Sequence, residues 1–279
     1  MSTPATTSAG LWDDLLGCLD LRALPDGDGA PAAAVFEGSN QRLGYHRLFG
    51  GQLLAQFVQA AARSCPGKSV KSLHALFPRA GRTDEPVRYE VARQHDGGTF
   101  ATLAVTARQE RGVIATAAVS LHVHEDGPEH QDAAPVGQVP GPEHRTPLHL
   151  LPWEVRTTAD LDAAAAAPPE FELWSRTPKV EAGLVPAITA YATDLTLIGT
   201  ALRPLDGVGQ RDAGTAFTSA VTSHSLWFHR PFPEGGWLLL RQHSPVAAHG
   251  RCFGRGDVLS EDGTLLASYA QEALLRFTA

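Results

Sequence analysis

The sequence contains few cysteines and no excess of basic residues. Its 279 residues include three cysteines, Cys18, Cys65 and Cys252. An odd, widely scattered set of this kind forms neither a disulfide framework nor a CxxC metal site, and it favours reduced thiols in a cytoplasmic protein. Lys and Arg total 23 against 30 Asp and Glu, which gives a formal net charge of -7. Because nucleic-acid binding normally requires a basic surface, we expect no nucleic-acid partner.

Several motifs that define common protein classes are also missing. The chain has no GxSxG segment, so the nucleophile of an α/β-hydrolase is not predicted. It has no phosphate-binding loop that ends in Gly-Lys-Ser/Thr, and Gly250, Gly254 and Gly256 do not have dinucleotide-binding spacing. The first ten residues carry no basic residue and no apolar stretch. We therefore expect no signal peptide, and no apolar run approaches the length that a membrane span needs.

The sequence does contain one order of elements that occurs twice. In the first half, Gly50-Gly51 begins an apolar helix, Pro66-Gly67 ends it, and three strand-like runs follow. In the second half, residues 186–207 have the pattern of a helix and three more strand-like runs follow. A helix followed by antiparallel strands predicts an α+β fold.

Short matches between the halves lie about 150 residues apart. Leu76-Phe77-Pro78-Arg79 matches Trp227-Phe228-His229-Arg230, and Arg93-Gln94-His95 matches Arg241-Gln242-His243. An offset of this length is too long for a solenoid repeat and indicates a duplicated domain. We predict an N-terminal half at 11–126, a connecting segment with short strands at 127–180, and a C-terminal half at 181–279.

Two polar residues stand within apolar patterns of the second half. Asp194 lies three residues from Tyr191 and four from Ile198, on the apolar stripe of the predicted helix. Gln271 is the only amide on the apolar face of the last predicted strand. A carboxylate against an apolar stripe is costly unless it is paired or has a function. Each residue is therefore either a catalytic candidate or a core group that satisfies neighbouring backbone.

The run HVHEDGPEH places His122 and His124 on one face of a strand, which is an arrangement that metal sites use. No further ligands that would close such a site are evident. We interpret the run as a strand end that continues into a solvated linker, and we predict no metal site.

Four stretches together resemble the acyl-CoA thioesterase II family: RLFGGQLLAQ, YATDL, HSLWFHRPF and LASYAQEALLR. The segments SLHALFPRAG, PWEVR and GPEHQ give weaker support, and the resemblance covers nearly the whole chain. It implies a double hotdog, in which each half is a long helix wrapped by an antiparallel sheet and the two sheets join. It also implies hydrolysis of acyl-CoA to a free acid and CoA without metal or cofactor, and assembly into homo-oligomers.

The resemblance further implies three catalytic positions. The family's Asp falls on Asp194 and its Gln on Gln271, which are the residues already singled out by periodicity. The family's Ser or Thr position is Val221 in this sequence. Its neighbour Thr222 is the nearest candidate hydroxyl, although adjacent strand residues face opposite ways unless a bulge intervenes.

These residues suggest a mechanism of thioester hydrolysis. Asp194 would deprotonate a water molecule that Gln271 holds, and backbone N–H groups at Gly50 and Gly51 would bind the thioester oxygen. Because Val221 lacks the hydroxyl, we expect slow turnover. Three rival interpretations remain: a weakened protein that binds acyl-CoA or an acyl carrier, a hotdog enzyme of another class such as a dehydratase, and a purely structural partner.

Overall fold

In the part of the chain that the computed structural model describes, residues 8–25, 33–45 and 47–278, four α-helices accompany twelve strands. The helices are α1 (Ser8–Leu19), α2 (Gly50–Ser64), α3 (Val185–Thr193) and α4 (Leu197–Leu202). The first six strands are β1 (Arg22–Leu24), β2 (Ala33–Gly38), β3 (Ser69–Leu76), β4 (Val87–Asp96), β5 (Phe100–Gln109) and β6 (Gly112–His122). The other six are β7 (Glu154–Arg156), β8 (Glu170–Arg176), β9 (Phe217–Phe228), β10 (Leu238–Ala248), β11 (Arg251–Ser260) and β12 (Leu265–Phe277).

All twelve described strands belong to one antiparallel sheet whose order has a twofold pattern. The order is β1-β2-β4-β5-β6-β3-β9-β12-β11-β10-β8-β7, so the second half repeats the first in reverse. The halves meet where β3 pairs with β9, from Ser72 opposite Trp227 to Leu76 opposite Ser223. This architecture confirms the predicted α+β double hotdog.

The connecting segment contributes strands to the sheet of the second half. β8 pairs with β10 along six residue pairs, and β7 pairs with β8 at the outer edge. At the opposite end of the sheet, β1 and β2 form the corresponding edge of the first half. The chain between β6 and α3 therefore connects the halves and also adds β7 and β8 to the sheet of the second half.

The core lies between the sheet and the central helices. α2 is buried along nearly its whole circumference, and it packs on α3 through an edge-to-face contact of Phe49 with Tyr191 at 4.9 Å. Along β12, the alternation predicted from the sequence is observed, with Ala267, Tyr269 and Gln271 buried. Close helix packing is helped at Gly51, where a β-carbon would lie 2.5 Å from the Tyr191 carbonyl oxygen.

The helix predicted over residues 186–207 is broken. α3 ends at Thr193, Asp194 occupies its C-cap, and α4 begins only at Leu197. Asp and Thr have low helix propensity because their side chains compete for backbone and other partners. Thr196 illustrates this, since its hydroxyl donates to Gln242 Oε1 on β10 at 2.9 Å. The break removes Asp194 from a regular helical stripe and places it at a turn.

The segment Ala182–Leu202 is long and apolar enough to cross a membrane, by length and composition alone. The sequence-based expectation that no apolar run approaches this length was therefore wrong. Of its most apolar window, 61% is buried inside the protein, where α3 and α4 form the central helices of the second half. Its apolar character is that of a core helix, which faces protein on most sides.

Candidate active site

Asp194 lies in the break between α3 and α4, against the beginning of α2. Its side chain is buried, and a β-carbon on Gly50 would come 2.7 Å from Asp194 Oδ2. Burial raises the pKa of the Asp194 carboxyl to about 7, although the backbone N–H of Gly51 and the charge of Arg47 oppose this rise. A carboxyl with such a pKa is an effective proton acceptor near neutral pH.

His224 connects Asp194 with Gln271. His224 and Gln271 are directly opposite on β9 and β12, and the imidazole Nδ1 lies 3.1 Å from Gln271 Oε1. The same Nδ1 is 3.9 Å from Asp194 Oδ1, and Nε2 is 3.0 Å from Thr193 Oγ1. Burial lowers the pKa of His224 to about 4, despite the hydrogen bond with Gln271. The imidazole is therefore neutral at physiological pH, and its proximity to Asp194 is not an ion pair.

Two buried polar atoms of this cluster lack a hydrogen-bond partner within the described residues. They are Asp194 Oδ1 and Gln271 Nε2. A buried polar atom without a partner costs about 1–3 kcal/mol, so such atoms are rare in ordinary cores. One is an acceptor and the other a donor, and His224 Nδ1 contacts the side chains of both residues. Asp194 Oδ1 is thus open to a hydrogen-bond donor and Gln271 Nε2 to an acceptor, and a water molecule can fill either role.

A cavity of about 330 Å³ opens beside Asp194. Its volume lies at the lower end of the range for small-molecule sites. Apolar side chains dominate its wall, and Arg47 and Arg79 supply positive charge. Both halves contribute, with lining residues that include Phe49, Leu53 and Phe77 from the first and Leu195, Ile198, Phe217 and Val221 from the second.

A β-bulge decides which side chain of β9 faces this cavity. The pairing of β9 with β12 passes from Ser223 opposite Glu272 to Val221 opposite Ala273, so Thr222 is the extra residue. Val221 lines the cavity, whereas the Thr222 hydroxyl donates to the Glu272 carbonyl at 3.0 Å. The bulge therefore turns Val221 rather than Thr222 inward, and the structure does not bring Thr222 together with Asp194 and Gln271.

The two glycines predicted to bind substrate take different positions at the start of α2. Gly50 lines the cavity, and as the first residue of the helix its N–H has no acceptor within the helix. The N–H of Gly51 is directed to the Asp194 carboxyl. Gly50 is thus the glycine that faces the cavity, while the Gly51 N–H is bonded to the Asp194 carboxyl.

Two residues of this cluster, His224 and Thr193, were not predicted from the sequence. His224 belongs to the run HSLWFHRPF, which carries the resemblance, but no role was assigned to it. Its register with Gln271 was the signal that could have identified it, since inward residues on paired strands meet in the core. As for metals, the described residues contain no group of three or more His, Cys, Asp or Glu side chains that could hold an ion.

Comparison with known proteins connects this site to a family. Family models described as the acyl-CoA thioesterase N-terminal domain and C-terminal domain match residues 39–122 and 124–275. Acyl-CoA thioesterase 2 of Haemophilus influenzae is 32% identical over 271 residues, which cover 88% of this chain and 93% of that protein. The chain belongs to the acyl-CoA thioesterase II family.

Other members of the acyl-CoA thioesterase II family and related thioesterases agree with this assignment. Human acyl-coenzyme A thioesterase 8 is 30% identical, covering 87% of this chain and 84% of that protein. The crystal structure of acyl-CoA thioesterase II TesB2 from Mycobacterium marinum matches with a TM-score of 0.77 and 31% identity, covering 95% and 98% of the two chains. Membership makes the chain a thioester hydrolase.

Proposed function

We propose that the protein hydrolyses acyl-CoA to a free acid and CoA, with Asp194 as the general base. The observation that carries this proposal is that two buried atoms next to His224, Asp194 Oδ1 and Gln271 Nε2, have no hydrogen-bond partner among the described residues, and that Asp194 lines an apolar cavity. A general base needs a pKa near the working pH, and the pKa of Asp194, about 7, satisfies this condition.

The reaction follows from the chemistry of these groups. Asp194 accepts a proton from water while Gln271 Nε2 donates a hydrogen bond to the water oxygen. That oxygen forms a bond with the thioester carbonyl carbon, and the negative charge moves to the carbonyl oxygen. The N–H of Gly50 at the helix N-terminus stabilises this charge. The C–S bond then breaks, the sulfur leaves with the electron pair, and the proton on Asp194 returns to the products.

The interior and the mouth of the cavity are suited to different parts of the substrate. The acyl chain occupies the apolar interior between α2 and α4, where burial of each CH₂ group is worth about 0.8 kcal/mol. The phosphates of CoA, or of a carrier-bound acyl group, lie at the mouth. Arg47 and Arg79 are suited to anchor them, since guanidinium groups pair well with phosphates. Both line the cavity, and their contacts there are with neutral groups: Arg47 donates to the Ser219 carbonyl and Arg79 to the Arg111 carbonyl.

Val221 supports a second candidate function, a weakened protein that binds acyl-CoA and turns it over negligibly. The cavity would then be retained while one catalytic hydrogen bond is missing. A thiol-release assay over acyl-CoAs of graded chain length separates the two functions. Release of CoA marks hydrolysis, and saturable binding without release marks the binding protein.

The decisive test of the base is Asp194→Asn. The amide has nearly the same size and still accepts a hydrogen bond from the Gly51 N–H, but it cannot take a proton from water. We expect kcat to fall by at least about 10²-fold, with the circular dichroism spectrum unchanged. A purified, folded Asp194→Asn protein that releases thiol at the parent rate would show that another group is the base.

We also propose that the protein is a cytoplasmic homo-oligomer. All three cysteines are free and buried, as expected for a reducing compartment. Near the junction of the halves, Leu76 and Trp227 are 60% and 38% exposed on β3 and β9. Large apolar side chains at such a place favour contact with a second copy, and sedimentation equilibrium measures whether one forms.

A further inference from the structure

The imidazole of His224 lies between Gln271 and Thr193, where it can orient the side chains of the candidate site. It is fully buried, and its two nitrogens contact Gln271 on β12 and Thr193 on α3. We propose that His224 is a positioning residue that, as the Nδ1–H tautomer, fixes the Gln271 amide with its NH₂ group directed to the catalytic water. The inference rests on the proposed hydrolysis and assigns a role to a residue that touches neither water nor substrate.

Without a neighbour to orient it, the Gln271 amide has two orientations of nearly equal shape. One presents Nε2 to the site and the other presents Oε1. Only the first can donate a hydrogen bond to a water oxygen while Asp194 accepts the proton of that water. In the second, the atom presented to the site would be a carbonyl oxygen, which accepts hydrogen bonds only and cannot donate to the water. The activity therefore depends on which amide atom His224 holds.

The surroundings of His224 select the tautomer that gives the productive orientation. Asp194 Oδ1 lies 3.9 Å from Nδ1, and a negative oxygen favours an N–H rather than a lone pair at that nitrogen. With its proton on Nδ1, the ring donates to Gln271 Oε1. Nε2 is then an acceptor for the Thr193 hydroxyl, which otherwise donates to the Ala190 carbonyl at 2.9 Å.

The ring is also held from its face. Tyr269 lies nearly parallel to it, with 6.0 Å between ring centroids and 11° between planes. The Tyr269 hydroxyl in turn accepts from Gln242 Nε2 at 2.8 Å, and Gln242 Oε1 accepts from Thr196 and Thr200. The groups around His224 are thus Asp194, Gln271, Thr193 and Tyr269, which come from two elements, the end of α3 and β12. This fixed arrangement is what a positioning residue requires.

The first test is a double-mutant cycle with His224→Phe and Gln271→Met. Phenylalanine keeps an aromatic ring beside Tyr269 but can neither donate to Gln271 nor accept from Thr193. We expect His224→Phe to lower kcat by about 10²-fold with little change in KM. In the Gln271→Met background, the same change should cost less than about twofold, because its target is already gone. Costs that multiply independently would overturn the proposal.

Matched variants separate positioning from general damage. His229→Phe makes the same chemical change on an exposed histidine just beyond the end of β9, and kcat should stay within about twofold of the parent. His224→Asn keeps an N–H near the position of Nδ1 and should recover activity to within about tenfold of the parent. If His224→Asn is no more active than His224→Phe, the hydrogen bond to Gln271 is not what matters.

The second test reads the tautomer without any turnover. ¹⁵N NMR of histidine-labelled protein distinguishes a protonated Nδ1 from a protonated Nε2. We expect the proton on Nδ1 in the parent, and a smaller share of that tautomer in Asp194→Asn, which lacks the negative oxygen beside Nδ1. A proton on Nε2 would overturn the proposal even if thiol release is observed. If the parent releases no thiol, the proposed hydrolysis fails, and this spectrum still decides whether His224 holds Gln271 in the stated orientation.

Discussion

At the residue scale, the ionisation of Asp194 determines how activity depends on pH. Burial raises the pKa of this carboxyl to about 7, and only the ionised form accepts a proton from water. We expect kcat/KM to fall about tenfold per pH unit below pH 7 and to level off above it. Initial rates of thiol release between pH 5 and 9 measure this profile. A rate that is flat down to pH 5 would contradict the assignment of Asp194 as the base.

The raised pKa of Asp194 also makes stability depend on pH, in the direction opposite to activity. Between the ordinary Asp pKa near 4 and the native value of about 7, the folded protein binds the proton and the unfolded chain does not. The free energy of unfolding therefore decreases as pH rises through this window. Asp194→Asn removes this dependence. The free energy of unfolding of the variant, relative to that of the parent, should therefore increase between pH 4 and 8, by at most about 4 kcal/mol. Urea unfolding of both proteins across this range provides the measurement.

Val221 and Thr222 form a matched pair at the bulge of β9. Val221 lines the cavity without a hydroxyl, and Thr222 carries a hydroxyl that is bonded to the Glu272 carbonyl. We expect Val221→Thr to raise kcat by up to about 10²-fold with little change in KM, because one preorganised hydrogen bond to the reacting water is gained. Thr222→Val should cost about 1 kcal/mol of stability and leave kcat within about twofold. Steady-state kinetics of the two variants test whether the missing hydroxyl at position 221 limits kcat. A folded Val221→Thr protein that is no faster than the parent would show that it does not.

Periodicity singled out two residues of the candidate site whose polarity conflicts with their pattern, Asp194 and Gln271. It missed His224, because a histidine on a strand that alternates polar and apolar residues is not unusual by itself. It also left the choice between Val221 and Thr222 open. That choice depends on a one-residue bulge, which pairing across β9 and β12 creates and which no local pattern of β9 encodes.

At the element scale, the contact between the beginning of α2 and the end of α3 requires small residues for two different reasons. At Gly50, a β-carbon would meet the Asp194 carboxylate at 2.7 Å, whereas at Gly51 it would meet the Tyr191 backbone carbonyl at 2.5 Å. A side-chain carboxylate can move and a helix backbone cannot easily do so. Gly50→Ala should therefore reduce kcat by at least about tenfold with a small change in stability. Gly51→Ala should lower the free energy of unfolding by about 1–3 kcal/mol.

Gly17 provides the control for this pair. It lies in α1, and a β-carbon there would meet nothing within 4 Å. Gly17→Ala should leave activity unchanged and raise the free energy of unfolding by up to about 1 kcal/mol through helix propensity. Equal effects of Gly50→Ala and Gly51→Ala on both kcat and unfolding would contradict the distinction between a mobile and a fixed neighbour.

The elements themselves were largely predictable from the sequence, and the exception is instructive. Strand alternation along β12 and the glycine-initiated α2 were predicted because local patterns determine them. The break between α3 and α4 was not, because apolar residues continue at helical spacing on both sides of it. The contact of Thr196 with Gln242 on β10 is a tertiary interaction, and it joins residues 46 positions apart.

At the scale of the whole molecule, neither half alone contains the whole candidate site. Asp194, Gln271 and His224 belong to the second half, but Gly50, Gly51 and Arg47 come from the first, and the cavity is lined by both. The junction that brings them together is the β3–β9 pairing and the packing of α2 on α3. The duplication was predictable from repeated segments. Which residues each half contributes to the candidate site became clear only from the observed sheet order.

This arrangement predicts how a divided protein behaves. Residues 1–126 and 127–279, produced together as two chains, should copurify through an affinity tag on either one, because the broken connection is exposed and the β3–β9 ladder and the α2–α3 contact survive. The two-chain protein should retain thiol-release activity within about tenfold of the parent, since its site is complete. Residues 127–279 alone should show no activity above that of Asp194→Asn, because the carboxyl loses the Gly51 N–H and the cavity loses one wall. Hydrolysis by the isolated second half at the rate of the two-chain protein would show that the first half is not part of the active site.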